Sequence, residues 1–178
     1  MSWNDDQYIL SQFRIPQSRE KAFTELVKKY QETLYSQIRR MVHDHESTHD
    51  VLQNVFIKVW KYLDSFREDS KLSTWLFRIA VNESLSWLEN EEKRSTYELA
   101  KEENSKSDSI TPSTTQIEQK LELAIKSLPP KQRMVFILRY FEEKTYEEIS
   151  ELVETSVGAL KASYHHAVKK IEDFIKDH

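Results

Sequence analysis

Residues 45–49 read His-Glu-Ser-Thr-His, the residue types and spacing of a zinc-peptidase motif. In that chemistry two histidines one helical turn apart hold the metal, and the glutamate acts on its bound water. The helix carrying the string is expected to start near Ser47, with Asp50 three residues on as a capping-box-like partner. That start leaves His45 outside the helix and the two rings diverging. The longer motif with a glycine and a third histidine cannot be completed, because the only glycine is Gly158. Glu68, a distant acid that could ligate, falls in a polar segment. No metal ligand is therefore assigned; stoichiometric zinc retained after desalting would reinstate one. Other carboxylates are spread over solvated faces, and no nucleophile has a credible base. The expectation is a protein that is not an enzyme and needs no cofactor.

Two other groupings suit recognition. Phe66, Trp75, Phe77, Asn82 and Trp87 fall within 22 residues. Aromatic faces beside an amide can stack on, and read, an unstacked base. Core packing is the favoured reading for Trp75 and Trp87, and Phe66, Phe77 and Asn82 stay open. Near the C-terminus charge separates. Residues 142–154 hold six glutamates and one lysine, a balance of −5, whereas 157–170 hold Lys161, Lys169 and Lys170 with no acid, a balance of +3. A DNA-reading helix and a helical hairpin with a solvated basic face both fit that pattern.

The elements that must position these groups are helical. Phe23, Leu26, Val27, Tyr30, Leu34, Ile38 and Met41 recur every three or four residues and predict one amphipathic helix. A second stripe runs Val51, Leu52, Val55, Phe56, Val59, Trp60 and Leu63. The polar segment 66–73 interrupts it. A third helix starts at about Thr74, with Trp75, Leu76, Ile79, Ala80, Leu85 and Leu88 inward. After Ser95 the composition turns to Ser, Thr, Glu and Lys with a proline, which predicts a flexible linker over 95–116. Past it, a short helix runs to Leu128 and Pro129-Pro130 opens the next. Thr145 with Glu148 forms a capping box, and Ser156 caps the last helix after a three-residue turn. That is a helix-turn-helix. Burying Val157, Leu160, Tyr164, Ala167, Val168, Ile171, Phe174 and Ile175 leaves Gly158, Ala159, Lys161, Ala162, His165, His166 and Lys169 outward. Such a face is small at one end and basic further on, so it suits a major groove.

Composition agrees. One glycine in 178 residues stands against about twelve at the usual ~7%. Phosphate-cradling loops, dinucleotide-binding turns and hairpin-rich β folds need more. Cysteine is absent, which removes disulfide frameworks and thiolate metal sites. The net charge of −4 argues mildly against a free-standing nucleic-acid binder. No segment matches a signal peptide or a membrane span. The fold class expected is all-α: two small helical domains, 1–94 and 117–178, joined by the linker, in a soluble cytoplasmic protein.

These residues carry a resemblance. THDVLQNVFIKVWKYLDSF followed by STWLFRIAVNESL is similar to the core-binding and −10-reading segment of bacterial sigma factors. LPPKQRMVFILRYFEEKTYEEISELVETSVGALKASYHHAVKKI resembles their −35-reading segment. With only these two domains, the chain resembles the extracytoplasmic-function group of the sigma-70 family. The resemblance covers nearly everything except residues 1–20 and the linker. It implies that Asp50, Gln53, Asn54 and Ile57 dock on the β′ clamp helices of RNA polymerase core, with a second contact at the β flap. It implies that Phe66, the 67–73 loop, Phe77, Ile79, Ala80 and Asn82 capture −10 bases of the melted strand. Gly158, Lys161, Ala162, His165 and His166 fall at −35-reading positions. An anti-sigma factor, often a membrane protein, is the regulator the family suggests.

Three departures from the family pattern lower positive charge or change the loop. Glu68 stands where glycine is common. Residues 89–92 are Glu-Asn-Glu-Glu where arginines are frequent, and Ser163, His166 and Val168 replace arginines of the last helix. Fewer neutralised phosphates mean weaker unaided promoter binding, so the polymerase is expected to supply most of the grip. A stand-alone helix-turn-helix regulator remains the alternative, with the zinc peptidase a distant third.

Overall fold

The computed structural model describes residues 3–99 and 116–177, with side chains for 5–95 and 118–177. Eight helices and no strand occur among the described residues: α1 Trp3–Phe13, α2 Arg19–Val42, α3 His45–Tyr62, α4 Leu72–Leu99, α5 Gln116–Lys126, α6 Pro130–Tyr140, α7 Tyr146–Val153 and α8 Val157–Asp177. None of them is long and apolar enough to cross a membrane. The linker expected over 95–116 lies outside the described residues, apart from its ends in α4 and at the start of α5. Two compact units divide within α4, Met1–Ser84 and Leu85–His178.

In the first unit α2 is the central element. Leu26, Tyr30, Leu34, Ile38 and Met41 of its stripe are buried, facing Val51, Val55 and Val59 of α3. Each fully buried aliphatic side chain contributes about 1.5–3 kcal/mol. His43 ends α2 in a left-handed conformation, φ 66°, with its N–H on the Arg39 carbonyl. Also packed on α2 is α1, a helix that the stripe reading began too late to find. Asp5 and Asp6 sit in its first turn, where the helix dipole favours acids, and Ile9, Leu10 and Phe13 are buried. Phe13 and Phe23 meet Trp60 edge-on at 5.4 and 5.0 Å, and the Arg19 guanidinium lies 4.1 Å from the Phe13 ring centre.

The start of α3 differs from the expectation. Asp44, not Ser47, is the N-cap, and its carboxylate accepts the Ser47 N–H at 2.7 Å. A charged acceptor at the positive end of a helix outcompetes a hydroxyl. That bond holds the Asp44 carboxyl below its ordinary pKa.

In the second unit α8 packs against α5, α6 and α7. Pro129 caps α6 and Pro130 occupies its first position. Met134 to Leu138 are all buried, because α6 is covered on most of its circumference. The Arg133 guanidinium donates to the Lys126 carbonyl, and its burial lowers its pKa to about 10.

Candidate nucleic-acid interface

The last two helices are positioned by caps at each end of a tight turn. Thr145 Oγ1 accepts the Glu148 N–H at 3.1 Å while the Glu148 carboxylate accepts the Thr145 N–H at 2.7 Å, the reciprocal box expected from sequence. The Thr145 N–H, and the Thr145 hydroxyl that also donates to the carboxylate at 3.0 Å, hold the Glu148 carboxyl below its usual range. Glu154 closes α7 with φ 51°, and Ser156 Oγ accepts the Ala159 N–H at 3.3 Å to open α8. From α8, Leu160, Ala167 and Ile171 are buried. Phe136 of α6 stacks on Tyr164 at 5.9 Å and 14°.

That packing turns one face outward. Gly158, Ala159, Lys161, Ala162, His165, His166 and Lys169 are all exposed. A Cβ added at Gly158 would meet nothing within 4 Å, so packing does not require glycine there. Lys161 is less free than its neighbours: its ammonium sits 5.7 Å from the Tyr146 ring centre, on the first residue of α7.

The groups expected at the −10 side are held differently. Asn82 is exposed, while Phe77 and Ile79 are half-buried. Phe66 and Ala80 are buried in the free chain, at 7% and 0% exposure, Ala80 as the inward stripe implies. Ala80 faces inward beside Leu76 and Val81 on the packed side of α4. Phe66 lies 5.3 Å from Trp75, ring to ring, and anchors the segment that follows it. Trp75 and Trp87, favoured as core, are half-buried. Glu68, in that segment, has φ 61° and is held by Gln7 of α1 and by Arg14 just past its end. Gln7 and Arg14 are therefore groups near this site that sequence reading missed. They lie seven residues apart, about two helical turns, a spacing that by itself points to no partner.

The expected polymerase contacts share one face. Asp50, Gln53, Asn54 and Ile57 of α3 are all exposed, Ile57 at 58%. Trp60, expected inside, is 37% exposed although its ring is edged by Phe13 and Phe23.

The histidine pair also needs correcting. Because α3 begins at His45, His45 and His49 lie on one helix with ring centres 4.6 Å apart, not diverging. Tyr35 Oη meets His45 Nδ1 at 2.5 Å. Among the described residues no third His, Asp or Glu joins them in a group that could hold a metal.

Comparison with known proteins matches this arrangement twice along the chain. Residues 26–94 match the family described as Sigma-70 region 2, and residues 118–171 match Sigma-70, region 4. The ECF RNA polymerase sigma-E factor of Escherichia coli K12 is 32% identical over 175 residues, covering 92% of this chain and 91% of the relative. The RNA polymerase sigma-H factor of Pseudomonas aeruginosa is 29% identical over 184 residues, covering 97% and 94%. Among solved structures, the sigma factor RpoE of Bartonella quintana, in complex with the anti-sigma factor NepR, aligns with a TM-score of 0.65 at 22% identity, covering 88% of this chain and 98% of that one. CnrH, in complex with the cytosolic domain of CnrY, aligns at 0.62 and 21%, covering 97% and 98%. The chain belongs to the extracytoplasmic-function group of the sigma-70 family, and its function is to direct RNA polymerase to specific promoters when transcription starts.

Proposed function

We propose that residues 1–94 bind polymerase core and the −10 element, and that residues 117–178 bind the −35 element. The observation that carries this reading is the α8 face: seven outward positions are exposed together, and the helix that bears them is fixed by caps and by a buried seam. Gly158 and Ala162 allow close approach to the groove, while Lys161, His165 and His166 reach phosphates and base edges. On α3, Asp50, Gln53, Asn54 and Ile57 dock on the β′ clamp helices. An exposed isoleucine among polar groups supports an interface there. The β flap takes the second contact.

At the −10 element, Asn82, Phe77 and Ile79 with the 67–73 loop hold bases of the melted strand. Stacking contributes roughly 1–3 kcal/mol per base. Phe66 and Ala80 support this surface from below. The chain performs no chemistry and works in the cytoplasm. An anti-sigma factor, anchored in a membrane, covers these surfaces when the protein is idle; support comes from RpoE and CnrH, of the same fold, which were solved with protein partners.

In-vitro transcription with core polymerase and a promoter library tests the reading. Core-dependent initiation is expected, and none on any template would sink it. Asn82→Ala should reduce permanganate reactivity of the −10 thymines while core binding persists. Lys161→Glu should weaken the −35 footprint; an unchanged footprint would mean that another face of α8 reads DNA.

A further inference from the structure

Glu68 has a backbone that its side chain does not favour. Its φ of 61° is left-handed, a conformation that glycine enters without steric cost and a Cβ-bearing residue does not. It is held there by α1 and the residue that follows it. Glu68 Oε2 accepts Gln7 Nε2–H at 2.8 Å, and Glu68 Oε1 accepts Arg14 Nη2–H at 2.6 Å. Gln7 and Arg14 lie two turns apart, the turn being continued past Phe13 by the Arg14 N–H on the Leu10 carbonyl at 3.3 Å. One carboxylate with each oxygen on a separate donor has its plane and position defined, and so does the loop that bears it.

The ion pair is open to water, with side chains 53% and 29% exposed. Pairs of that kind add little to stability, so its effect is on placement. Behind it lies a cavity of about 180 Å³. Gln7, Leu10 and Tyr30 form one wall, and Phe66, Glu68 and Lys71 the other. The distance between α1 and the loop sets the width of that cavity. Its volume exceeds the ~150 Å³ that accommodates a benzene ring.

We propose that Gln7 and Arg14 are positioning residues for promoter reading: through Glu68, α1 latches the loop and sets which −10 bases the loop accepts. This rests on the reading that the loop captures −10 bases. Where a glycine would leave the loop to adapt around the base, this chain holds it through the Gln7 and Arg14 side chains.

The test uses the full chain reconstituted with core polymerase on templates randomised at the −10 segment, with transcripts sequenced. A parallel library randomises the −35 segment. Gln7→Ala and Arg14→Ala should each lower base discrimination at one or two −10 positions by about fivefold, the low end of a single base-pair mismatch. Preferences at −35 should not change, and Arg14→Lys should restore part of the loss. In a Glu68→Gly background neither substitution should add anything, because the latch is already open. Thermal melting should show Arg14→Ala folded with its midpoint unchanged.

Unaltered −10 preferences in both variants would overturn the proposal, as would equal loosening at −35 or additive effects in the Glu68→Gly background. Asn82→Ala run beside them separates two failures. If it impairs opening while Gln7 and Arg14 prove neutral, only the latch falls. If Asn82→Ala is also without effect, the base-capture reading falls and the latch with it.

Discussion

The −35 side and the −10 side place their candidate contacts by different means. On α8 every outward candidate belongs to one helix face, and all of them are exposed. Around the loop and α4 the candidates come from a turn and a helix, and two of five, Phe66 and Ala80, are buried. A single amphipathic helix has one degree of freedom, its rotation, and the apolar stripe determines it. A loop-and-helix surface depends also on what packs beneath it, here Trp75 and the residues of α1. The same residue type can therefore have opposite roles in the two regions.

Two alanines break or sharpen this comparison most strongly. Ala80→Asp puts an unpaired charge at a fully buried position and should destabilise the fold by about 3 kcal/mol or more. Ala162→Asp is exposed, so its unfolding free energy should stay within about 0.5 kcal/mol of wild type. Its −35 affinity should nevertheless fall roughly tenfold, from charge placed beside phosphates. Urea titration and a DNA-binding assay on both variants check the pair. Equal stabilities would mean that the burial contrast is wrong.

Phe66→Ala should follow, at about 3 kcal/mol for a buried aromatic against Trp75. A stable, folded Phe66→Ala protein that fails only in promoter opening would move Phe66 back among the contact groups.

Gly158→Leu is smaller and opposite in sign. With open space around the Cβ and a helix-favouring residue gained, stability should rise by about 0.5–1 kcal/mol. Promoter binding should drop, because a leucine there holds the helix off the groove. Melting and footprinting separate the two effects.

The smallest effect concerns the Asp44 cap. Its carboxyl is held below the usual range, chiefly by the Ser47 N–H. A folded pKa below the unfolded value of about 3.9 means that the cap stabilises fully above that pH. Its contribution is lost as pH falls through the folded value. Asp44→Ala should cost about 1 kcal/mol near neutrality, and the difference from wild type should shrink in acid below pH ~4. A constant difference across the range would assign the cost to something other than the ionised cap.

Much of the fold was legible because helix periodicity is local. The stripe of α2 placed five of its seven residues in the core, the Thr145–Glu148 box formed as its spacing implied, and α8 turned the expected face outward. Local reading failed where two acceptors competed or where a partner lay far along the chain. Ser47 was a plausible cap until Asp44, three residues earlier, supplied a charged one. His45 and His49 came together for the same reason. Gln7 and Arg14 gave no hint of a partner at residue 68, because a hydrogen bond and an ion pair that span 61 and 54 residues leave no periodic trace.

A single glycine, the capped helices and two family-like strings determined by themselves that this chain is helical, that it has a helix-turn-helix, and which face of that last helix points out. Only the tertiary structure decided which aromatics stay inside, where α3 begins, and that α1 grips the loop at Glu68. The physical reason is range: capping and amphipathicity act within one or two turns, whereas burial and ion pairing depend on residues that only folding brings together.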